Sequence, residues 1–362
     1  MHSLSSSHAS AWETVAGIFA WSSLLISIWA VSQHLMNYNK PYLQKYVVRI
    51  LWMVPIYGMN AWIGMKLPPA SIYLDTLREC YEAFVIYSFM KYLLNFLYRE
   101  VDVEMIMIEC KPPQAHLFPF CWMTPLPGGM RFLHKIKHGI LQYTVTRPIT
   151  TIIALLSQVL GIYGEGSYSP TSGTYVYLFI TNNISQMIAM YCLVIFYTAY
   201  RGELSPMKPL SKFLCIKAVV FFSFFQGVLI GILIEFGVIT RAVVVNSDAD
   251  KLAIQRNLQD FLICFEMMLA AVAHLFAFSH TPFVDLAASN DSCCESFMRV
   301  IDISDERTDM TDHLQQVYRR AKDTWNNKKN YEPTESTTLI ALQPTGRNHE
   351  ATVLSPSTSY SC

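Results

Sequence analysis

Long runs of hydrophobic residues recur along the chain, and most of them approach the length that a helix needs to cross a bilayer. At a rise of 1.5 Å per residue, about 20 residues span the roughly 30 Å of hydrocarbon in a membrane. The pattern therefore predicts an all-α, polytopic membrane protein with seven transmembrane helices, at residues 14–36, 50–65, 71–97, 141–163, 175–200, 213–238 and 258–279.

The third run begins with a cluster of ionisable residues, which are Asp75, Arg78, Glu79 and Glu82. An ionisable side chain near the bilayer centre costs about 2.5–3.5 kcal/mol on insertion scales, so this cluster should not face lipid. At about 100° per residue the four side chains share one side of a helix, and Arg78 lies within one turn of Asp75 and of Glu82. We therefore predict a polar, internally paired face that points to protein or water.

Polar residues in later runs lie at a similar depth when they are counted along their helices at 1.5 Å per residue. They are Asn182, Asn183 and Gln186 in the fifth run, Gln226 in the sixth and Glu266 in the seventh. Two interpretations stay open for this layer: a solute or ion pathway, or a buried hydrogen-bond network that fixes helix packing. Glu82 and Glu266 have no evident basic partner to spare, and we expect them to face each other.

The positions of Lys and Arg predict the orientation of the helices. One set of loops is rich in basic residues, namely Lys40, Lys45, Arg49, Arg99, Lys111, Arg131, Lys135, Lys137, Arg201, Lys208 and Lys212. The opposite loops contain Lys66, Arg241, Lys251 and Arg256. Because basic loops stay in the cytoplasm, we expect the N-terminus outside and the C-terminus in the cytoplasm.

Two prolines fall within predicted spans, and each removes one helical hydrogen bond. Pro55 lies in the second run close to Gly58 and Asn60, and Pro148 lies near the start of the fourth run. Both helices are expected to kink, and the second is the best candidate for an interrupted helix. A static bend and a functional break both remain open for this position.

Composition agrees with a membrane protein and argues against several soluble classes. The chain is 52% hydrophobic and 15% charged, where soluble domains have about 25% charged residues, and its formal net charge is zero. No P-loop, G-x-S-x-G, H-E-x-x-H or dinucleotide fingerprint is present, and the 9 cysteines contain no C-x-x-C pair. We therefore expect no enzyme activity, no cofactor, no metal site and no nucleic-acid partner.

The sequence changes character after the last hydrophobic run. We divide the chain into a transmembrane domain at 1–280, a cytoplasmic juxtamembrane segment at 281–329 and a disordered, Ser/Thr/Pro-rich tail at 330–362. Apolar residues at helical spacing predict an amphipathic helix in the middle segment, at Met310, Leu314, Val317, Tyr318, Ala321 and Trp325. This helix either lies on the anionic inner leaflet or packs under the bundle.

Short motifs in the cytoplasmic parts suggest modification and sorting. Cysteines near the membrane are candidates for palmitoylation, namely Cys110, Cys121, Cys293 and Cys294. Glu335 followed by Leu339 and Ile340 resembles an acidic dileucine signal, which clathrin adaptors bind. We therefore expect a multi-pass protein of the plasma membrane or of endolysosomal membranes.

Six ordered blocks resemble the transmembrane protein 184 family, nearest its C-type members. They are 49–57 (RILWMVPIY), 75–90 (DTLRECYEAFVIYSFM), 141–150 (LQYTVTRPIT), 161–166 (GIYGEG), 203–226 (ELSPMKPLSKFLCIKAVVFFSFFQ) and 258–273 (LQDFLICFEMMLAAVA). That family is related to the alpha subunit of the organic solute transporter. The resemblance implies seven spans and a transport function, since the alpha-subunit relatives move steroids and bile-acid-like amphipaths by facilitated diffusion beside a single-span partner.

We therefore expect a multi-pass transporter, or a transporter-like protein, for an amphipathic organic solute, with membrane lipid and a single-span subunit as partners. The alternative is a seven-helix signalling or trafficking protein that influences cell growth or endosomal sorting through its tail. A rhodopsin-like receptor fits less well, because Asp-Arg-Tyr and Asn-Pro-x-x-Tyr motifs are absent.

Overall fold

A computed structural model of the chain describes residues 2–99, 112–117, 122–163, 173–236, 248–284, 293–302 and 304–330. Apart from an isolated bridge between Gln114 and Leu126, the regular structure of these residues is helical. The all-α prediction is confirmed for this part of the chain.

The helices follow the predicted hydrophobic runs. We number them α1 His2–Met36, α2 Pro41–Leu51, α3 Met53–Lys66, α4 Ser71–Arg99, α5 Gly129–Val159, α6 Tyr175–Ala199, α7 Arg201–Leu204, α8 Pro209–Glu235, α9 Asp248–Ala277, α10 Cys293–Ile301 and α11 Ser304–Asn330. Short 3-10 turns lie at Pro68–Ala70, Ser205–Met207 and Thr281–Phe283.

Within the described ranges, 4 helical segments are long and apolar enough to cross a membrane: Ala11–Met36, Pro41–Lys66, Tyr175–Ala199 and Ala253–Phe283. They coincide with the first, second, fifth and seventh predicted spans, so the chain is an integral membrane protein. The other predicted spans fall on α4, α5 and α8, which have 29, 31 and 27 residues; α4 and α5 are less uniformly apolar or carry more charge, whereas α8 is strongly apolar. It remains a prediction that these three helices also cross the membrane, and so does the orientation of the termini.

The second span is interrupted, as its proline predicts. The helix breaks at Trp52, between α2 and α3. Pro55 has no N–H with which to bond the carbonyl of Leu51, four residues earlier, so the regular ladder cannot continue through this point. Pro148, in contrast, lies in the interior of α5 rather than near the start of a helix, because α5 begins at Gly129.

The core forms where α3 packs against α1, α4 and α9, while α5 packs on α4 and α6, and α8 packs on α9. Gly58 lies at a close approach of α3 to α1 and α9 in the first group. A β-carbon at this position would lie 3.0 Å from the Ser23 hydroxyl oxygen and 3.3 Å from Cβ of Met267. A larger residue would therefore require the Ser23 or Met267 side chain to shift by a few tenths of an ångström.

Arg49 attaches α10 to the bundle. Its guanidinium is buried and donates through Nε to the carbonyl of Val300 at 3.1 Å and through an NH2 group to the carbonyl of Asp302 at 2.6 Å. A cation at the last carbonyls of a helix also opposes the helix dipole. The contact therefore holds the C-terminal end of α10 beside α2.

Replacing Arg49 by Gln is expected to increase the amide exchange of residues 293–301, because each charge-assisted hydrogen bond contributes about 1.5–3 kcal/mol. Hydrogen exchange with mass spectrometry on the purified protein measures this change. Lys45→Gln, on the same helix, is the control and should leave α10 protected. Unchanged exchange in Arg49→Gln would show that α10 is held by its apolar contacts alone.

The chain divides into two compact units, Met1–Asp305 and Glu306–Cys362. Within the first unit, the backbone N–H of Ser304 donates to Asp302 Oδ1 at 3.0 Å, and this bond lowers the pKa of the exposed Asp302 carboxyl. In the second, the residues of the predicted amphipathic segment are helical and belong to α11, whose helical state is thereby confirmed.

Candidate functional site

A polar cavity of about 320 Å³ lies among α3, α4, α5 and α6. Its walls carry charged, amide, hydroxyl and aromatic side chains. The residues that line it include Tyr57, Thr76, Arg78, Glu79, Glu82, Tyr143, Arg147, Thr150, Ala154, Tyr163, Tyr175, Asn182, Asn183, Gln186 and, from α9, Gln259. This cavity brings together the polar face predicted for the third span and the amides predicted for the fifth.

Glu82 lies at the deepest end of the polar cavity and joins four helices. Its Oε1 accepts a hydrogen bond from Gln186 Nε2 at 2.9 Å and lies 3.6 Å from Lys217 Nζ of α8. Its Oε2 accepts a hydrogen bond from the Tyr57 hydroxyl at 3.3 Å. Glu82 is 9% exposed and Lys217 is 3% exposed, so both side chains of this ion pair are buried among the helices.

The expectation that Glu82 has no basic partner to spare is therefore wrong. Lys217 interrupts the apolar run FLCIKAVVFF in α8. A single lysine near one end of a membrane span usually extends its ammonium group to the membrane surface. The Lys217 side chain instead points into the helix bundle, because its attraction to the Glu82 carboxylate of α4 is strong at short distance and in a buried, low-dielectric environment.

The first turns of α4 form the other end of the cavity. Arg78 pairs with Asp75 at 3.0 Å, as the spacing predicts, and its guanidinium lies 5.6 Å from the ring centre of Tyr57. Glu79 does not depend on Arg78 alone, because it forms an ion pair with Arg147 of α5. The polar face of α4 is thus paired partly within itself and partly with α5.

Thr150 of α5 completes the wall toward α6. Its hydroxyl lies 2.7 Å from Asn182 Oδ1 and donates to it. The neighbouring Asn183 lines the cavity and donates to the carbonyl of Phe179 in its own helix at 2.8 Å. Thr150 and Arg147 had no place in the predicted site, and the Thr-Arg-Pro-Ile-Thr stretch around Pro148 was the signal that could have drawn attention to them.

A smaller cavity of about 130 Å³ adjoins the first. Arg78 and Gln259 line both cavities, and the smaller one also contacts Asp75, Arg256 and the largely buried Asp260. Gly64 of α3 lies beside this carboxylate, and a β-carbon there would make an ordinary contact, 3.5 Å from Asp260 Oδ2. Asp260 extends the polar region into α9 at a position that sequence analysis did not identify.

Glu266 and Gln226 form a separate cluster. The Gln226 side-chain amide donates to Glu266 Oε1 between α8 and α9, and neither residue is among those that line the two polar cavities. The structure therefore does not bring Glu82 and Glu266 face to face. Helical spacing predicted which side of its helix carries Glu82 or Glu266, but it did not predict which other helix packs against that side.

Several predicted sites fall outside the described residues. Cys110, Cys121, Glu335, Leu339 and Ile340 lie in those parts, and Cys293 and Cys294 occupy the start of α10, where only the backbone is described. Across the described ranges, no three His, Cys, Asp or Glu side chains are grouped so that they could hold a metal ion.

The charges around Glu82 nearly balance in sign. Arg78, Arg147 and Lys217 face Asp75, Glu79 and Glu82, and amides and hydroxyls lie between them. Such a lining offers both donors and acceptors to a polar guest and imposes no strong selection for one charge sign. The arrangement suits hydrogen bonding to a polar group of a solute, or to water, within the helix bundle.

The comparisons with known proteins agree with this picture. The family described as "Organic solute transporter Ostalpha" matches residues 12–283. "Protein LAZ1 homolog 1" of Arabidopsis thaliana is 31% identical over 284 residues, which cover 74% of this chain and 57% of that protein. The chain thus spans little more than half the length of this relative. No solved structure matches the present chain. The family match covers most of the chain, and the protein belongs to the organic solute transporter Ostalpha family, as its sequence blocks predict.

Proposed function

We propose that this protein carries an amphipathic organic solute across the membrane by facilitated diffusion, and that the polar cavity holds the polar part of the solute. The proposal includes seven membrane crossings, with the N-terminus outside and the C-terminus in the cytoplasm. The observation that carries it is an open, charge-lined space of about 320 Å³ inside the helices of an Ostalpha-family protein.

A packing network alone would not require this space. Buried polar groups that serve only to fix helices are most stable when they contact one another directly, because protein interiors are close-packed. Here, Glu79, Glu82 and Asn182 have partners and still line a cavity of about 320 Å³. The volume lies at the lower end of the roughly 300–1,000 Å³ of small-molecule sites, which suits a polar group better than a whole steroid-sized solute.

Asp75, Arg78 and Glu79 would then form the entrance, while Glu82, Asn182, Asn183 and Gln186 would bind the polar group farther in. The proposal leaves Gln226 and Glu266 outside this route, because they form a separate cluster and do not line the cavity. The resemblance also implies a single-span partner subunit, so uptake should be measured with the purified chain and in membranes of cells that express it.

Filling the polar cavity tests the proposal. Ala154→Trp places an indole in the cavity wall of α5, and we expect it to lower uptake of a labelled sterol conjugate into proteoliposomes by about tenfold or more, equivalent to at least 1.4 kcal/mol. Ile153→Trp adds the same side chain to the adjacent residue, which is exposed and does not line the cavity, and should leave uptake intact.

Equal uptake by Ala154→Trp and the unmodified protein would exclude this cavity as the route. If the unmodified protein takes up none of a panel of neutral, anionic and cationic amphipaths, with or without a partner subunit, the transport proposal itself fails. Gel filtration of each variant shows whether it is folded before uptake is measured.

A further inference from the structure

A second cavity, of different chemistry, lies along the same helices. It has a volume of about 210 Å³ and is bordered by α4, α6 and α8. Its floor is formed by Phe89, Leu93 and Leu193, which are buried, and the side chain of Phe213 stacks on Phe89 with ring centres 6.1 Å apart. We call this space the apolar chamber, because its walls are almost entirely hydrocarbon.

The apolar chamber is separate from the polar cavity. On α4, Phe89 lies two turns beyond Glu82, on α6 Leu193 lies two turns beyond Gln186, and on α8 Phe213 lies one turn before Lys217. The Glu82 cluster therefore stands between the two spaces. No residue lines both of them, so a ligand in the chamber need not touch any group assigned to solute transport.

The chamber opens sideways, toward the surface of the bundle that faces lipid. Its rim contains Val194, Thr198 and Leu210, all of which are exposed. The Thr198 hydroxyl donates to the carbonyl of Val194 at 2.9 Å within its own helix, so it offers no free donor to a ligand. Tyr197 supplies the one phenolic hydroxyl of the wall. A guest in this space must therefore be mainly hydrocarbon.

Basic residues flank the chamber at one end. Arg201 follows Tyr197 by one turn, and Lys208 directly precedes Pro209, which lines the chamber. Both side chains are exposed, and no acidic side chain pairs with either of them among the described residues. Lys208 has a left-handed backbone, with φ 47°, at the corner that brings α8 back beside α6. Two cations therefore stand near an apolar space that opens to the bilayer.

From this geometry we infer that the apolar chamber is a phospholipid site, in which one acyl chain occupies the space between α6 and α8 while the lipid phosphate lies near Arg201 and Lys208. A flexible acyl chain suits a narrow space with a sideways opening better than a rigid ring system does. The bound lipid would cover apolar surface of α4 that α6 and α8 leave unfilled, at about 25 cal/mol per Å² of that surface. This inference does not depend on the transport proposal.

Photo-cross-linking of the full chain in membranes tests the site. The probe is phosphatidylserine with a diazirine in the middle of one acyl chain, and adducts are mapped by mass spectrometry after digestion. Bulk lipid reaches exposed side chains on every helix, but it cannot reach Leu93, which is 1% exposed. We therefore expect adducts on the floor residues Phe89 and Leu93 in addition to those on the surface.

Val194→Trp should block the chamber from its rim and lower floor adducts by about fivefold or more, which corresponds to roughly 1 kcal/mol. The matched control is Ile188→Trp, an exposed position on the same helix that does not line the chamber, and it should keep the floor adducts. Changing Arg201 and Lys208 together to Gln should lower floor labelling by phosphatidylserine while surface labelling stays unchanged.

Adducts on Phe89 and Leu93 that disappear in Val194→Trp and persist in Ile188→Trp would support the site. Adducts confined to exposed side chains would overturn it, since they would show only the surrounding bilayer. A diazirine sterol that labels the floor in place of phosphatidylserine would also overturn the assignment. Floor labelling is measured without any solute, so these outcomes are independent of uptake.

Discussion

Lys217→Met is expected to lower the free energy of unfolding by about 3–5 kcal/mol, the range found when one partner of a buried ion pair is removed. Lys217 Nζ lies 3.6 Å from Glu82 Oε1, and both side chains are almost fully buried. The variant leaves a carboxylate in the helix bundle without its α8 counter-charge. Unfolding of the purified protein in mixed micelles, titrated with SDS and followed by circular dichroism, measures the loss.

The double variant Glu82→Gln with Lys217→Met should recover most of that stability, because it removes both charges and keeps similar side-chain volumes. The shortfall from additivity is the coupling between the two residues. A Lys217→Met protein as stable as the unmodified chain would show that water reaches Glu82 and replaces the lysine. It would also contradict the arrangement of α8 beside α4.

Glu82→Gln is expected to reduce uptake of a labelled sterol conjugate by about tenfold or more, while Glu266→Gln changes it by less than about twofold. The Glu82 carboxylate lies at the deep end of the polar cavity and accepts bonds from Tyr57 and Gln186. The amide keeps the size of the side chain and removes its charge. Glu266 contacts Gln226 outside that cavity and serves as a half-buried acidic control.

Uptake must be divided by the amount of folded protein, since Glu82→Gln also leaves Lys217 without its counter-charge. The double variant with Lys217→Met separates the two effects: it should be stable and still transport poorly. Equal losses of uptake in Glu82→Gln and Glu266→Gln would place both residues on one pathway, as predicted from their similar depth in the membrane. No loss in either variant would remove Glu82 from the pathway.

Sequence reasoning was strong for properties that one helix determines by itself. The polar face of α4 and its Asp75–Arg78 pair follow from spacing along one chain segment, and so does the break before Pro55. The contact between Glu82 and Gln186 could also be predicted from the sequence, because the two residues lie at a similar depth in their predicted spans. Burial and the high cost of a charge in lipid decide these features locally.

The choice of partners was beyond the sequence because it depends on which helices are neighbours. Lys217 meets Glu82, Arg147 meets Glu79, and Glu266 meets Gln226, and each contact requires the packing of α4, α5, α8 and α9. Hydrophobic periodicity gives the direction of a side chain around its helix, but several arrangements of helices satisfy the same pattern. Asp260 illustrates the same limit, since its place beside Arg78 exists only when α9 packs against α3 and α4.

The Glu82 cluster has a consequence for any transport cycle. Tyr57, Gln186 and Lys217 converge on this carboxylate, which lines the polar cavity, and residues one or two turns beyond it on α4, α6 and α8 line the separate apolar chamber. A solute that moved along these helices from the polar cavity would have to pass this cluster. Alternating access would require a second conformation in which the Glu82–Lys217 pair separates and α8 moves away from α4. In that cycle the free energy of the ion pair would set the barrier to exchange, and a bound solute that offered Glu82 or Lys217 a replacement partner would lower it.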